Sequence, residues 1–191
     1  MSIKSTRADL KEKFIKTIYE VSGKHITFRQ DEVRLDNGII SYRDVVEHPG
    51  AVVIVAVNPQ KELLMVKQYR YAIQQESLEL PAGKLEPGEE PLQTAQRELE
   101  EETGYKAMKW SALCSFYTTP GFTNEIIHLF MAEELVQTKI MPDPDEIIEN
   151  YTVDLGKLYK SIVEGKIYDA KTIIGIFYAL EKCGLLIPEG S

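Results

Sequence analysis

Several kinds of chemistry are scarce or missing in this sequence. Among 191 residues there are two cysteines, three histidines and one tryptophan. Cys114 and Cys183 stand far apart in apolar surroundings, and His25, His48 and His128 have no ligand spacing with them or with one another. Zinc sites, a disulfide framework and a redox dithiol are therefore not expected, and both cysteines read as reduced residues in or near the core. No apolar run reaches the roughly 18 residues of a membrane helix, and the Met-Ser-Ile-Lys start lacks a signal-peptide core. A cytoplasmic location is the expectation. Internal repeats and low-complexity tracts are also missing. Positive charge is in short supply, with 22 Lys and Arg against 30 Asp and Glu and a net charge of −8. That balance argues against nucleic acids and anionic membranes as partners. An anionic small substrate would need local help from metal ions and a few placed cations. The 43% apolar and 27% charged residues suit one globular domain with an appendage.

Negative charge is concentrated between Gly83 and Tyr105. Five residues separate Gly83 from Glu89, seven more lead to Arg97, and Glu98-Leu99-Glu100-Glu101-Glu102-Thr103-Gly104 follow. On a helix, with Glu98 at zero, Glu102 lies at about 40° and Glu101 at about −60°, so the three share one face. Leu92, Ala95 and Leu99 fall at about 60° to 120°, which predicts a buried stripe bordered by Glu98 and Glu102. Glu100, at about 200°, should face solvent. Like charges so close destabilise a helix by a few tenths of a kcal/mol, and more where half-buried. A hard divalent ion removes the conflict, because Mg²⁺ takes one or two carboxylates together with phosphate oxygens.

Periodicity places this stretch in a mixed α/β chain. Ile15–Val21, His25–Leu35 and Ile39–Val46 read as strands, with Asp36-Asn37-Gly38 as the hairpin turn of an N-terminal ribbon over roughly residues 14–48. Ala51–Val57 is a doubly buried strand, followed by strands at Glu62–Tyr71, Ser77–Leu80, Met108–Thr118, Glu125–Ala132 and Ile147–Val153. Helices are expected at about Glu90–Glu102, Leu155–Gly165 and Ala170–Cys183.

The spacing of Gly83, Glu89, Arg97, Glu98, Leu99, Glu101, Glu102 and Gly104 resembles the Nudix box of nucleoside diphosphate-linked hydrolases. Tyr105 departs from the aliphatic residue usual at the last position. Pro120, 16 residues after Gly104, resembles the marker proline of the ADP-ribose pyrophosphatase subfamily. So do the segments around His48-Pro49-Gly50, Lys67-Gln68-Tyr69-Arg70, Pro81-Ala82-Gly83 and Tyr168-Asp169-Ala170-Lys171-Thr172. The resemblance implies a Nudix fold, an α/β/α sandwich around a mixed sheet. It divides the chain into residues 1–48, a ribbon or dimerisation arm, and residues 49–191, the hydrolase domain.

The implied reaction is attack of water on the diphosphate of ADP-ribose, giving AMP and ribose 5-phosphate with Mg²⁺ as cofactor and Mn²⁺ as the alternative. Glu98 and Glu102 match the metal-ligand positions, Glu101 is an auxiliary ligand, and the Ala82 main-chain carbonyl resembles a further one. Glu89 and Arg97 would brace the loop against the helix, Arg97 could also orient a ligand carboxylate, and Gly83 and Gly104 would supply backbone conformations unavailable to other residues. The acidic 143–149 loop is the expected source of the general base, Glu146 first, then Asp145 and Glu149. Arg70 is the expected diphosphate grip, while Arg43, Tyr42 and Phe28 from the ribbon are candidates for holding ribose phosphate or adenine. Packing across strands is the alternative role of Phe28 and Tyr42. A homodimer with exchanged ribbons is implied by analogy. Competing readings are a hydrolase of a GDP- or UDP-linked sugar, a Nudix-fold sensor without turnover, and a triphosphatase for oxidised nucleotides.

Overall fold

A computed structural model describes residues 11–139 and 147–186 of the chain. Asp143, Asp145 and Glu146, three residues of the acidic loop, lie outside the described residues. The chain divides into two compact units. The first comprises residues 1–49 together with Thr119–Glu125, and the second comprises Gly50–Thr118 with the residues from Ile126 onward.

The first unit is a three-stranded antiparallel sheet in the order β1 (Lys13–Ser22), β2 (Thr27–Arg34), β3 (Ile40–Glu47). The turn between β2 and β3 closes as Asp-Asn-Gly sequences do. Gly38 takes φ 84°, its N–H donates to the Leu35 carbonyl, and Asn37 Oδ1 accepts from the Ile39 N–H. Asp31 is buried in this sheet, where the Thr17 hydroxyl and Arg29 Nε each donate to it at 2.8 Å. Burial alone would raise its pKa, but these two donors hold it below the usual carboxylate value. Thr119–Glu125 joins the unit through main-chain bonds between Val46 and Phe122 and through Asn124 Oδ1, which accepts from the His48 N–H.

The second unit carries the core. One sheet runs β7 (Ala82–Lys84), β4 (Ala51–Ala56), β9 (Ile126–Gln137), β8 (Tyr105–Tyr117), with β4 and β9 parallel and the other pairs antiparallel. A second runs β10 (Ile148–Asp154), β5 (Glu62–Arg70), β6 (Gln75–Glu79), all antiparallel. Every residue of β4 is buried, because successive side chains enter two different cores. Val52, Ile54 and Ala56 pack with Ala95 and Leu99 of α1 (Pro91–Thr103). Val53 and Val55 pack with Leu155 and Leu158 of α2 (Leu155–Val163) and with Ile176, Ala179 and Leu180 of α3 (Ala170–Lys182). A single strand thus separates two helical layers, which makes the unit an α/β/α sandwich with a mixed sheet. The N-terminal antiparallel sheet stands beside it in the sequence as the expected ribbon. The three helices lie within a residue or two of the spans read from periodicity. Both cysteines are free and half-buried.

Two expectations about α1 need correction. Leu92 is 39% exposed rather than part of the buried stripe, and it lines a surface pocket of about 390 Å³ with Pro91, Ser115 and His128. Angle on a helical wheel gives the face but not the depth, and Leu92 is not buried as Ala95 and Leu99 are. Glu100 is no more exposed than Glu101, and what distinguishes it is its partner, since it pairs with Lys106 at 3.1 Å.

Candidate active site

The acidic site is built by three elements that converge: the N-terminal loop of α1, α1 itself, and the β6–β7 connection. Pro91 opens α1, where a lost N–H costs nothing, and Gln93 Oε1 accepts the Glu90 N–H at 3.2 Å. Gly104 closes it in the left-handed region at φ 71°, where its N–H reaches the Glu100 carbonyl at 2.9 Å. The last turn is held from the side as well, because Asn150 Nδ2 on β10 donates to the Glu102 carbonyl at 2.9 Å.

Arg97 is the hub. Its Nε and one terminal nitrogen donate to Glu89 at 3.2 and 3.1 Å, while the other terminal nitrogen donates to Glu98 at 2.9 Å and to Glu101 at 2.8 Å. Three carboxylates therefore share one guanidinium. Burial disfavours the charge of Arg97, but its bonds to Glu89, Glu98 and Glu101 outweigh that and raise its pKa further. Glu89 is lowered, first by Arg97 and also by the Thr94 hydroxyl, which donates to it at 2.8 Å. The loop is thus braced against the helix by the pair expected for that purpose.

Glu102 is 2% exposed, deeper than the border position inferred from the wheel. Its Oε2 accepts the Ala82 N–H at 2.9 Å, which places the β7 backbone against the α1 carboxylates. Gly83 follows, and here the sequence-based reason for glycine changes. Its φ is not in the left-handed region; instead, a Cβ there would overlap the Glu98 carboxyl group. Glycine at this position provides room for the Glu98 carboxyl group. The structure accordingly brings together Ala82, Glu98, Glu101 and Glu102, with Arg97 between two of them.

Oxygen donors of this kind, several anionic and one buried, fit a hard divalent cation rather than a soft one. Among the described residues, no group of three His, Cys, Asp or Glu side chains is already gathered around one point. Arg97 occupies the place of a cation between Glu98 and Glu101, so an ion would have to take over bonds that the guanidinium now makes.

Arg70 lies at the end of β5 with its Nε and a terminal nitrogen on Glu79, at 2.8 and 2.6 Å. Its pKa is raised first by Glu79 and to a smaller degree by the charges of Asp169 and Glu102. Glu149 accepts the Tyr151 hydroxyl at 2.7 Å on β10. The ribbon candidates belong to the first unit. There Phe28 packs on Tyr19 with ring centroids 5.8 Å apart, Tyr42 is 55% exposed, and Arg43 is bound to Glu12 through two nitrogens. Of the histidines, His128 meets Ser115 at 2.9 Å and His48 meets Glu125 at 3.5 Å.

Sequence reasoning passed over Glu79. It is 2% exposed and held by both Arg70 and Lys171. Burial pushes its pKa up, yet the two cations prevail and bring it to about 2. The sequence offered no local signal, because Leu78 and Leu80 on either side fit a solvent-facing glutamate as well as a buried one.

Comparison with known proteins adds four findings. A family model described as NUDIX domain matches residues 47–171. The chain is 47% identical over 171 residues to the ADP-ribose pyrophosphatase of Bacillus subtilis (strain 168), covering 88% of this chain and 92% of that one. It is 44% identical over 169 residues to the methanol dehydrogenase activator of Bacillus methanolicus, covering 87% and 91%. Among solved structures, the crystal structure of an ADP compounds hydrolase matches with a TM-score of 0.82 at 18% identity, over 95% of this chain and all of that one, a likeness of fold alone.

Proposed function

This chain belongs to the NUDIX domain family, and on that premise we propose that it hydrolyses the diphosphate bond of ADP-ribose to AMP and ribose 5-phosphate. The observation that carries the reading is the β7 backbone set against the α1 carboxylates, with the Ala82 N–H on Glu102, Gly83 against Glu98, and Glu98 joined to Glu101 through Arg97. The relative named for that activity is similar over nearly the whole chain.

Members of the family need divalent metal ions, and Mg²⁺ is the ion we assign, with Mn²⁺ as substitute. Bound metal would neutralise the diphosphate oxygens and acidify water. The Glu98, Glu101 and Glu102 carboxylates and the Ala82 carbonyl would hold it. Arg97 would keep Glu89 as its anchor while yielding Glu98 and Glu101. Arg70 would meet the diphosphate, and Arg43, Tyr42 and Phe28 the ribose phosphate or adenine. Glu146 would take the proton of the attacking water, with Asp145 and Glu149 as the next candidates.

We also assign a homodimer with exchanged ribbons and a cytoplasmic location. The ribbon leaves Phe14, Ile18, Tyr19, Val21 and Ile40 exposed, and exposed apolar surface of this kind supports an interface. No helix among the described residues is long and apolar enough to cross a membrane. Sedimentation as a monomer would contradict the dimer.

The test is a phosphate-release assay, coupled to a phosphatase, over a panel of nucleoside diphosphate derivatives in Mg²⁺ and in EDTA. ADP-ribose should be turned over in Mg²⁺ and not in EDTA. Preference for a GDP- or UDP-linked sugar would overturn the substrate, and no turnover of any compound would favour the sensor reading. The likeness to the dehydrogenase activator supports a second reading, in which the chain raises the rate of a partner dehydrogenase. Adding the purified chain to a methanol dehydrogenase assay decides that directly.

A further inference from the structure

The connection that carries Ala82 is clamped by an ion cluster that is separate from the α1 carboxylates. Glu79, the last residue of β6, accepts from Arg70 through both oxygens and from Lys171 Nζ. Lys171 also contacts Asp169 at 2.9 Å, and Asp169 caps α3 by accepting the Thr172 N–H at 3.0 Å. The next residue, Leu80, donates its N–H to the buried Thr172 hydroxyl at 2.9 Å, and its side chain rests where a Cβ on Gly175 would stand. Pro81 then accepts from the Ile54 N–H at 2.8 Å, and Ala82 donates to Glu102. Upstream, the Tyr168 hydroxyl donates to the Glu76 carbonyl at 2.5 Å. Four consecutive residues, Glu79 to Ala82, are therefore fixed in turn by α3, by β4 and by α1.

A cluster that served stability alone would not require Arg70 to reach solvent. The Arg70 side chain is 41% exposed, whereas Glu79 beneath it is 2% exposed. The carboxylate grips Nε and one terminal nitrogen, a two-point contact that fixes the plane of the guanidinium as a single hydrogen bond would not. Glu79, which holds this oriented cation, stands three residues before Ala82, whose N–H meets the Glu102 carboxylate. Lys171, paired with the same buried anion, adds a second cation on the α3 side.

We infer that Glu79 is a positioning residue for diphosphate binding, orienting Arg70 from beneath and tying it, through Lys171 and the α3 N-terminus, to the segment that presents Ala82. The inference rests on the proposed hydrolysis. It also gives a role to Tyr168-Asp169-Ala170-Lys171-Thr172, a segment notable in the sequence only as a resemblance.

A double-mutant cycle in KM tests it. Wild type, Glu79→Gln, Arg70→Met and the double variant are assayed with ADP-ribose at saturating Mg²⁺, alongside thermal melting. Each single variant should raise KM about tenfold to a hundredfold, the range of one charge-assisted hydrogen bond, with a smaller effect on kcat. The double variant should be no worse than the worse single one, because Glu79 acts through Arg70. Multiplying effects, or a lowered melting temperature with unchanged KM, would reduce Glu79 to a structural role. Arg70→Lys keeps the charge without the fork and covers the case in which Glu79→Gln does not fold. It should raise KM while melting near wild type, and an unchanged KM would overturn the inference. If wild type hydrolyses no diphosphate, the proposed function fails, and metal-free calorimetry with ADP-ribose then decides the positioning role. Wild-type binding weakened by Glu79→Gln or Arg70→Lys upholds it, and equal binding, or none to the wild type, overturns it.

Discussion

The α1 cluster and the Glu79 cluster use the same residue types and reach opposite balances. Around Arg97, three carboxylates share one guanidinium. Around Glu79, one buried carboxylate has two cations, and Asp169 accompanies Lys171. The second arrangement satisfies itself, as buried charges must if they are not to destabilise the fold. The first is held with too little positive charge, at a site where Gly83 has been kept free of a side chain to admit Glu98. A surplus of oxygen ligands is what a divalent ion needs, and a completed ion pair is what a fixed element of the binding surface needs. The difference suggests that α1 exchanges its partners during function and that the β6–α3 junction does not.

Several substitutions would sharpen or break that contrast, the largest effect first. Glu102→Gln should lower turnover of ADP-ribose by roughly three orders of magnitude or more while the chain folds normally, because the amide oxygen can still accept the Ala82 N–H but cannot ligate as a carboxylate. Near-wild-type turnover would remove Glu102 from the ligand set. Gly83→Ala comes next, since the added methyl group must displace the Glu98 carboxyl. A loss on the order of a hundredfold in kcat is expected, roughly 2.7 kcal/mol of barrier, and an unchanged kcat would show that Glu98 is not needed where it lies.

The Glu79 cluster should announce itself through acid stability instead. In the folded chain Glu79 has a pKa of about 2 against 4.5 for an ordinary glutamate, so the unfolded chain takes up its proton first as pH falls. Its contribution, on the order of 3 kcal/mol, is present above about pH 5 and is lost between there and about pH 2. Urea unfolding over that range should show a shallower pH dependence in Glu79→Gln than in wild type. Equal slopes would mean that the carboxylate is not held by its two cations. The smallest change belongs to Glu100→Gln, which breaks only the surface pair with Lys106. Stability should move by less than about 0.5 kcal/mol and turnover by less than about twofold.

What could be read from the sequence follows the range over which each interaction acts. The α1 carboxylates sit within five residues, so helical geometry alone groups Glu98, Glu101 and Glu102. The core strand Ala51–Ala56 and the two later helices are equally local signals of apolar period. Glu79 escaped notice because its partners stand 9 and 92 residues away, and nothing local tells a buried glutamate from an exposed one. Gly83 was recognised as constrained, but backbone conformation was the wrong reason, since the neighbour that requires it lies on another element. Leu92 was misplaced because a wheel carries no information about depth.

The most direct measurement is a titration of Mg²⁺ against ADP-ribose turnover in wild type, Glu102→Gln and Glu79→Gln. If the two clusters divide the work as described, Glu102→Gln abolishes turnover or shifts the Mg²⁺ requirement upward by at least about tenfold, whereas Glu79→Gln keeps the wild-type Mg²⁺ midpoint and raises the KM for ADP-ribose. A Mg²⁺ midpoint that moves with Glu79 and not with Glu102 would contradict the account.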